Sequence, residues 1–142
     1  MSKNQGAMPS KEELMEAFPE VDSGIIPFGS RVLVQIRTAK TRSIGGIIIP
    51  EDTRETEKWN TQIAKVIAMG PLAFRNRDSM KPWAEGEWCA VGDFIRAPKY
   101  GGDRWDVPVP DKHDALAQFV IFNDLDLVGK VTGNPLSVKA FI

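Results

Sequence analysis

The chain has one cysteine, Cys89, and one histidine, His113, in 142 residues. A single cysteine excludes an internal disulfide, and a cysteine or cysteine–histidine metal cluster lacks its ligands. Charge of one sign is also missing: 18 basic side chains stand against 19 acidic ones, a formal net charge of −1. That balance argues against nucleic-acid binding by phosphate neutralisation. No apolar run approaches the length of a membrane span, and the polar N-terminus lacks the apolar stretch of a signal peptide. These absences predict a cytoplasmic protein with no membrane partner. The length suits one domain with arms and a single modest core, and no internal repeat is present.

Catalytic chemistry is thin as well. His113 lies between Asp111 and Asp114 in a Pro-rich stretch, where a solvated loop is a simpler reading than a His–Asp pair serving a nucleophile. Asp124 and Asp126 fit an Asx-type turn better than a metal pair. Gly101-Gly102 opens no predicted helix, so a phosphate cradle would lack its amides and dipole. Cys89 has no basic neighbour and reads as a small buried residue. No catalytic residue, metal site or cofactor is expected, and no enzymatic activity.

What is present is a run of short alternating segments. Ser10-Lys11-Glu12-Glu13 has the form of a capping box, opening a short helix with Leu14, Met15 and Phe18 as its apolar stripe and Phe18, before Pro19, as its last residue. Two turns cannot stand alone in water, so this helix must dock on the barrel or on a neighbouring subunit, or fray. Ile25–Phe28 suits an edge strand containing Pro27. Arg31–Arg37 alternates Val32, Val34 and Ile36 against Arg31, Gln35 and Arg37, the period of a half-buried strand. Gln62–Met69 alternates likewise, with Ile63, Lys65, Ile67 and Met69 opposite Ala64, Val66 and Ala68. Phe94–Arg96, Phe119–Phe122 and Leu127–Val131 read as further strands, with Arg104–Val107 able to pair back and Pro108–Gln118 as a long loop. Thr132–Ile142 can add a strand or a contact. Short strands, frequent turns and little helical periodicity predict an all-β fold, a small antiparallel β-barrel.

One stretch stands apart. Within Thr38–Trp59, Gly45-Gly46-Ile47-Ile48-Ile49-Pro50 places three isoleucines between a glycine pair and a proline. Its flanks are charged: Lys40 and Arg42 before, then Glu51, Asp52, Arg54, Glu55, Glu57 and Lys58. Spacing alone slightly favours a strand with polar turns on each side; the solvated flanks and the glycine pair fit a mobile arm with an apolar tip.

Pro27–Val34, followed by Gly45–Pro50, resembles the start of a GroES-type (chaperonin-10) co-chaperonin, and this decides for the arm. Ala64–Gly70, Val91–Ile95, Tyr100-Gly101 and Phe119–Val128 continue the likeness in unbroken order. The resemblance implies a GroES-like barrel at 25–131, after an N-terminal extension at 1–24 that carries the helix, and before a C-terminal tail at 132–142. It implies a mobile loop at 38–59 and a roof-type insertion at 72–90. Gly45, Gly46, Ile47, Ile48 and Ile49 then bind a GroEL-type chaperonin ring. The partner binds the ATP, and the capped chamber holds a folding client. The family forms a homo-heptamer, with Ile25, Ile26 and Phe28 meeting Leu127, Val128 and Val131 of a neighbour. The extended ends and enlarged 72–90 segment look more like bacteriophage members, which act in the host cytoplasm and help fold a capsid protein. Two other classes compete. Phe74, Trp83, Trp88, Tyr100 and Trp105, interleaved with Arg75, Arg77, Lys99 and Arg104, could stack single-stranded nucleic acid. A structural β-barrel of a virus particle is the third.

Overall fold

The computed structural model describes residues 8–38, 41–44, 47–50, 62–110, 112 and 115–137; for 41–44 and 47–50 that description is of the backbone. The helix α1 spans Lys11–Ala17. Its capping box forms as expected: Ser10 Oγ accepts the Glu13 amide, and Glu13 Oε1 accepts the Ser10 amide, each at 3.1 Å. Phe18 is the C-cap, its amide donating to Leu14 O at 2.7 Å. The helix docks on the barrel. Ala17 and Phe18 form a buried cluster with Ile63, joined by Leu14, Phe94, Val131 and Leu136. That packing supplies the stability which two isolated turns lack.

The strands are β1 (Arg31–Ile36), β2 (Thr41–Ile44), β3 (Ile47–Pro50), β4 (Ile63–Met69), β5 (Phe94–Arg96), β6 (Asp103–Pro108), β7 (Leu116–Asn123) and β8 (Gly129–Lys130). Six of them form one sheet in the order β6-β7-β1-β4-β5-β8, and every pairing in it is antiparallel. The fold is therefore all-β, with β6 and β8 at the two ends of the hydrogen-bonded ladder. Central β1 runs against β7 with Val34 opposite Val120, and against β4 with Ile36 opposite Ala64.

Five expectations change. First, β1 is buried on both faces, not one: Leu33 and Gln35 are as enclosed as Val32, Val34 and Ile36. The cause is the segment after α1. Gln35 Nε2 donates to Pro19 O at 2.8 Å, and Val21 packs into the cluster of Leu33, Val109, Ala117 and Phe119. Second, the alternation of β4 breaks. The register passes from Leu33 opposite Ala68 to Val34 opposite Val66, so Ile67 is an extra residue, a bulge. Beyond it Met69 joins the cluster of Ala64 and Val66, while Ile67 and Ala68 serve the opposite face. Third, Ile25–Phe28 forms no strand, because it has no ladder partner among the described residues. Pro27 is fully buried there while its neighbours face outward. Fourth, the last strand shrinks to Gly129–Lys130. Leu127 instead closes a 3-10 turn at Asp124–Asp126, and only the three residues of β5 are available to pair. The loop at Pro108–Gln118 also shortens, since β6 reaches Pro108 and β7 starts at Leu116.

Residues 72–90 contain one bridge, Arg75 with Pro82, and otherwise turn over one end of the main core. Phe74 is buried in that core, with Trp83 edge-on at 5.5 Å and Trp88 at 6.0 Å. Its φ of 61° is a strained value for a bulky residue. Its amide donates to Asp124 Oδ2 at 2.9 Å, a buried bond across the fold. Gly70 lets this segment leave β4: a Cβ there would strike the carbonyl of Gly29, to which the Leu72 amide bonds at 2.9 Å.

Candidate functional site

The arm begins where the β1–β4 ladder stops. Beyond the pair Ile36–Ala64, the Arg37 amide still reaches Ile63 O at 2.9 Å, but the Thr38 amide turns away to Ala17 O at 2.8 Å. β2 and β3 then pair with each other, Thr41 with Pro50 through Ile44 with Ile47, in a two-stranded sheet of their own. Thus the isoleucine run is extended, as its spacing alone favoured, and forms one side of a hairpin separate from the main sheet. In a strand, residues 47 and 49 share a face and 48 takes the other. Gly45 and Gly46 fall between the paired ends, outside the described residues, as do 39–40 and 51–61.

The residues nominated for the subunit edge divide into two groups. Ile26 and Phe28 are each 80 % exposed, Val128 is 61 % exposed and Ile25 is partly open. Leu127 is buried in the main core, and Val131 packs in the helix cluster. A groove of about 400 Å³ runs beside the first segment, lined by Ile25, Ile26, Phe28, Ile121 and Phe122. No ladder joins 25–28 to 127–131 among the described residues. Sequence reading passed over Leu125, 69 % exposed in the 3-10 turn that precedes Val128; an apolar residue between Asp124 and Asp126 in a polar turn was the available signal.

Electrostatics fix the β8 edge. Lys130 Nζ lies 3.3 Å from Asp93 Oδ2, which also accepts the Ala90 amide at 2.8 Å. That amide bond, assisted by Lys130, holds the Asp93 carboxyl below the usual carboxylate range. Burial first, then the charges of Asp93 and Glu87, pushes the Cys89 thiol up to about 11, so it is a buried neutral group at pH 7. Among the described residues no group of His, Cys, Asp and Glu could hold a metal, and no helix is long and apolar enough to cross a membrane. His113 lies outside the described residues.

The aromatic side chains form no shared platform. Phe74 is enclosed, and Trp83 and Trp88 pack on it and on each other. Trp105 stacks on Phe119 with its Nε1 donating to Ser23 O at 2.9 Å, and Tyr100 stands exposed beside Lys99. Arg104 is spent on the carbonyls of Gly101 and Lys99 and on the Phe122 ring. The geometry on which the nucleic-acid reading depended is absent from these residues.

The family model described as the chaperonin 10 kDa subunit matches residues 24–131. A mitochondrial 10 kDa heat shock protein of Oryzias latipes is 30% identical over 105 residues, covering 74% of this chain and 91% of that protein. A mitochondrial 10 kDa heat shock protein of Schistosoma japonicum is 32% identical over 104 residues, covering 73% and 87%. A co-chaperonin GroES of Corynebacterium jeikeium is 38% identical over 78 residues, covering 55% and 71%. With an all-β sheet of this order and a hairpin between β1 and β4, these matches define a chaperone of the co-chaperonin class. The chain belongs to the chaperonin 10 kDa subunit family.

Proposed function

We propose that this co-chaperonin assembles into a ring of seven subunits and caps an ATP-driven GroEL-type chaperonin through its arms. One observation carries the reading: the β2–β3 hairpin, bearing Ile47–Ile49, forms a sheet separate from the six-stranded one. Burying three isoleucines contributes roughly 5–9 kcal/mol, at about 1.5–3 kcal/mol each. Ordering an arm costs about 1–2 kcal/mol per residue, so a stretch of around ten residues offsets that gain. One arm binds weakly; a ring raises the effective concentration of the others once one has docked. Release follows when nucleotide-driven movement in the partner spoils several weak contacts together. The chain itself catalyses nothing, and hydrolysis belongs to the partner.

Ring closure brings Ile25, Ile26 and Phe28 of one subunit against the 127–131 edge of the next. The exposure of Ile26, Phe28 and Val128, and the two open ladder ends at β6 and β8, support this arrangement. Closure would also cover edges that otherwise invite aggregation. In this reading 25–131 is the working barrel domain, with 1–24 and 132–142 as additions to it. Those additions and the long 72–90 segment support a bacteriophage-encoded member working in a host cytoplasm, with a capsid protein as client.

Ile48→Asp tests the arm. Native mass spectrometry and a chaperonin-capping assay should show an intact ring that no longer caps, with a melting curve within about 0.5 kcal/mol of the parent, as for a surface change. A charge carried into an apolar groove is the cause, repeated in every subunit. Unfolding of the variant would reject the arm, and normal capping would reject the anchor.

A further inference from the structure

The family match leaves 1–23 and 132–142 outside it, yet the described parts of both converge on the root of the arm. Ala17 O, a helix-end carbonyl that needs a donor, accepts the Thr38 amide at 2.8 Å. Ala17 and Phe18 pack on Ile63, the first residue of β4 after the arm. Phe18 also meets the Phe94 ring at 5.1 Å. From the other end of the chain, Leu136 joins the same cluster, and its carbonyl accepts from Arg37 Nη1 at 3.2 Å. Residues 37, 38 and 63 are thus held by segments far away in sequence. These are the points where the chain leaves the main sheet and where it rejoins it.

The same extension is pinned twice more along its course, by Gln35 Nε2 to Pro19 O and by Trp105 Nε1 to Ser23 O. It is a strap laid across β1 from the β6 side to the arm. Amides along a strand alternate sides, so with the Arg37 amide on Ile63 O of β4 the Thr38 amide points to the β7 side, where without the strap it would be free to extend the β1–β7 pairing past Ile36–Gln118. With the strap, Ala17 O takes that amide, and the outgoing strand is held by the helix end at Thr38. The Thr38 hydroxyl has no partner among the described residues, so the amide bond is its described hold.

We propose that residues 10–23 and 134–137 form a collar that fixes the direction in which the arm leaves the barrel, and through it the affinity of the ring for its partner. The second half rests on the functional reading above. A loosened root widens the orientations open to each arm, so docking must order more of the chain. Avidity then multiplies a modest defect per arm.

The experiment uses the full chain with Phe18→Ala and, separately, Leu136→Ala; the latter lies at the cluster margin and keeps the test open if the former fails to fold. Amide hydrogen exchange should accelerate at Thr38 and across 41–44 and 47–50 by about tenfold, the effect of losing roughly one hydrogen bond, while amides of β1 and β7 stay protected. Affinity for a GroEL-type ring with nucleotide should fall at least about threefold per arm, and more for the ring. Unchanged exchange at Thr38 in both variants overturns the collar, as does acceleration that is equal across the whole sheet. Altered exchange with unaltered affinity overturns its link to binding. If the parent protein does not bind the chaperonin, the functional reading fails, and exchange still decides the collar.

Discussion

Asp124→Ala should be among the most damaging single substitutions in this chain, although the residue sits in a turn with no catalytic role. Asp124 is 4 % exposed, and its Oδ2 accepts the amide of Phe74, which is 1 % exposed. Removing the carboxylate leaves a buried amide with no acceptor, a cost of about 1–3 kcal/mol. Phe74 adds to this, because its backbone is held at φ 61°, a conformation costing on the order of 1–3 kcal/mol that persists only where its surroundings enforce it. Trp83 and Trp88 supply the rest of that enforcement, so relaxation after the loss is partial. The expected destabilisation is about 2–3 kcal/mol. Asp124→Asn retains an acceptor oxygen and should cost less than about 1 kcal/mol. Denaturant titration at fixed subunit concentration, followed by tryptophan fluorescence, reads both variants, with Trp83 and Trp88 among the four tryptophans that contribute to the signal. Asp124→Ala within 0.5 kcal/mol of the parent would refute the reasoning. So would Asp124→Asn as damaging as Asp124→Ala, since charge and not the acceptor would then matter.

Gly70→Ala should destabilise by about 3 kcal/mol or abolish soluble expression, because the new methyl meets backbone atoms of Gly29 and Phe28 and no rotamer change can relieve it. Cys89 has a folded pKa of about 11 against an ordinary 9.0, so the folded state binds its proton more tightly and stability falls as pH rises from 9 toward 11. Cys89→Ala should lose less stability over that interval, and a thiol reagent at pH 8 should label the parent no faster than it unfolds; rapid labelling of the folded protein would contradict the burial argument.

Local rules made part of this molecule legible. Ser10 and Glu13 three residues apart announce a capping box, and Phe18 before Pro19 announces its end; both follow from short-range geometry, and both are present. The strand cores at β1 and β4 follow from period-two patterns, and those at β5 and β7 from short apolar runs bounded by turn residues. Ile67 shows where that reading stops. Nothing in Ala64–Met69 marks which residue will be skipped, because a bulge is decided by how β4 must bend against β1, and beyond Ile67 the face assignments of Ala68 and Met69 invert. Ile25–Phe28 stops it differently: an edge strand is defined by its partner, and the described residues contain none for it.

Gln35 is the more instructive residue, because it links fold to candidate site. A polar side chain opposite Val34 and Ile36 marks β1 as half-solvated, and that is the correct inference when nothing covers the second face. Here something does, and Gln35 stays tolerable in the interior because Pro19, which has no amide to donate, still offers a carbonyl at 2.8 Å. The strap that buries Gln35 then ends at Ala17 O on the Thr38 amide, where the arm starts. Periodicity could not reveal this, since the contact joins residues with no shared pattern. Family resemblance could not reveal it either, since the strap precedes the matched region at 24–131. The isoleucine run stands out because its chemistry is local, three apolar residues in charged surroundings. In the collar proposal, the direction in which the β2–β3 hairpin leaves the barrel depends instead on contacts made across the fold by Ala17, Phe18 and Leu136.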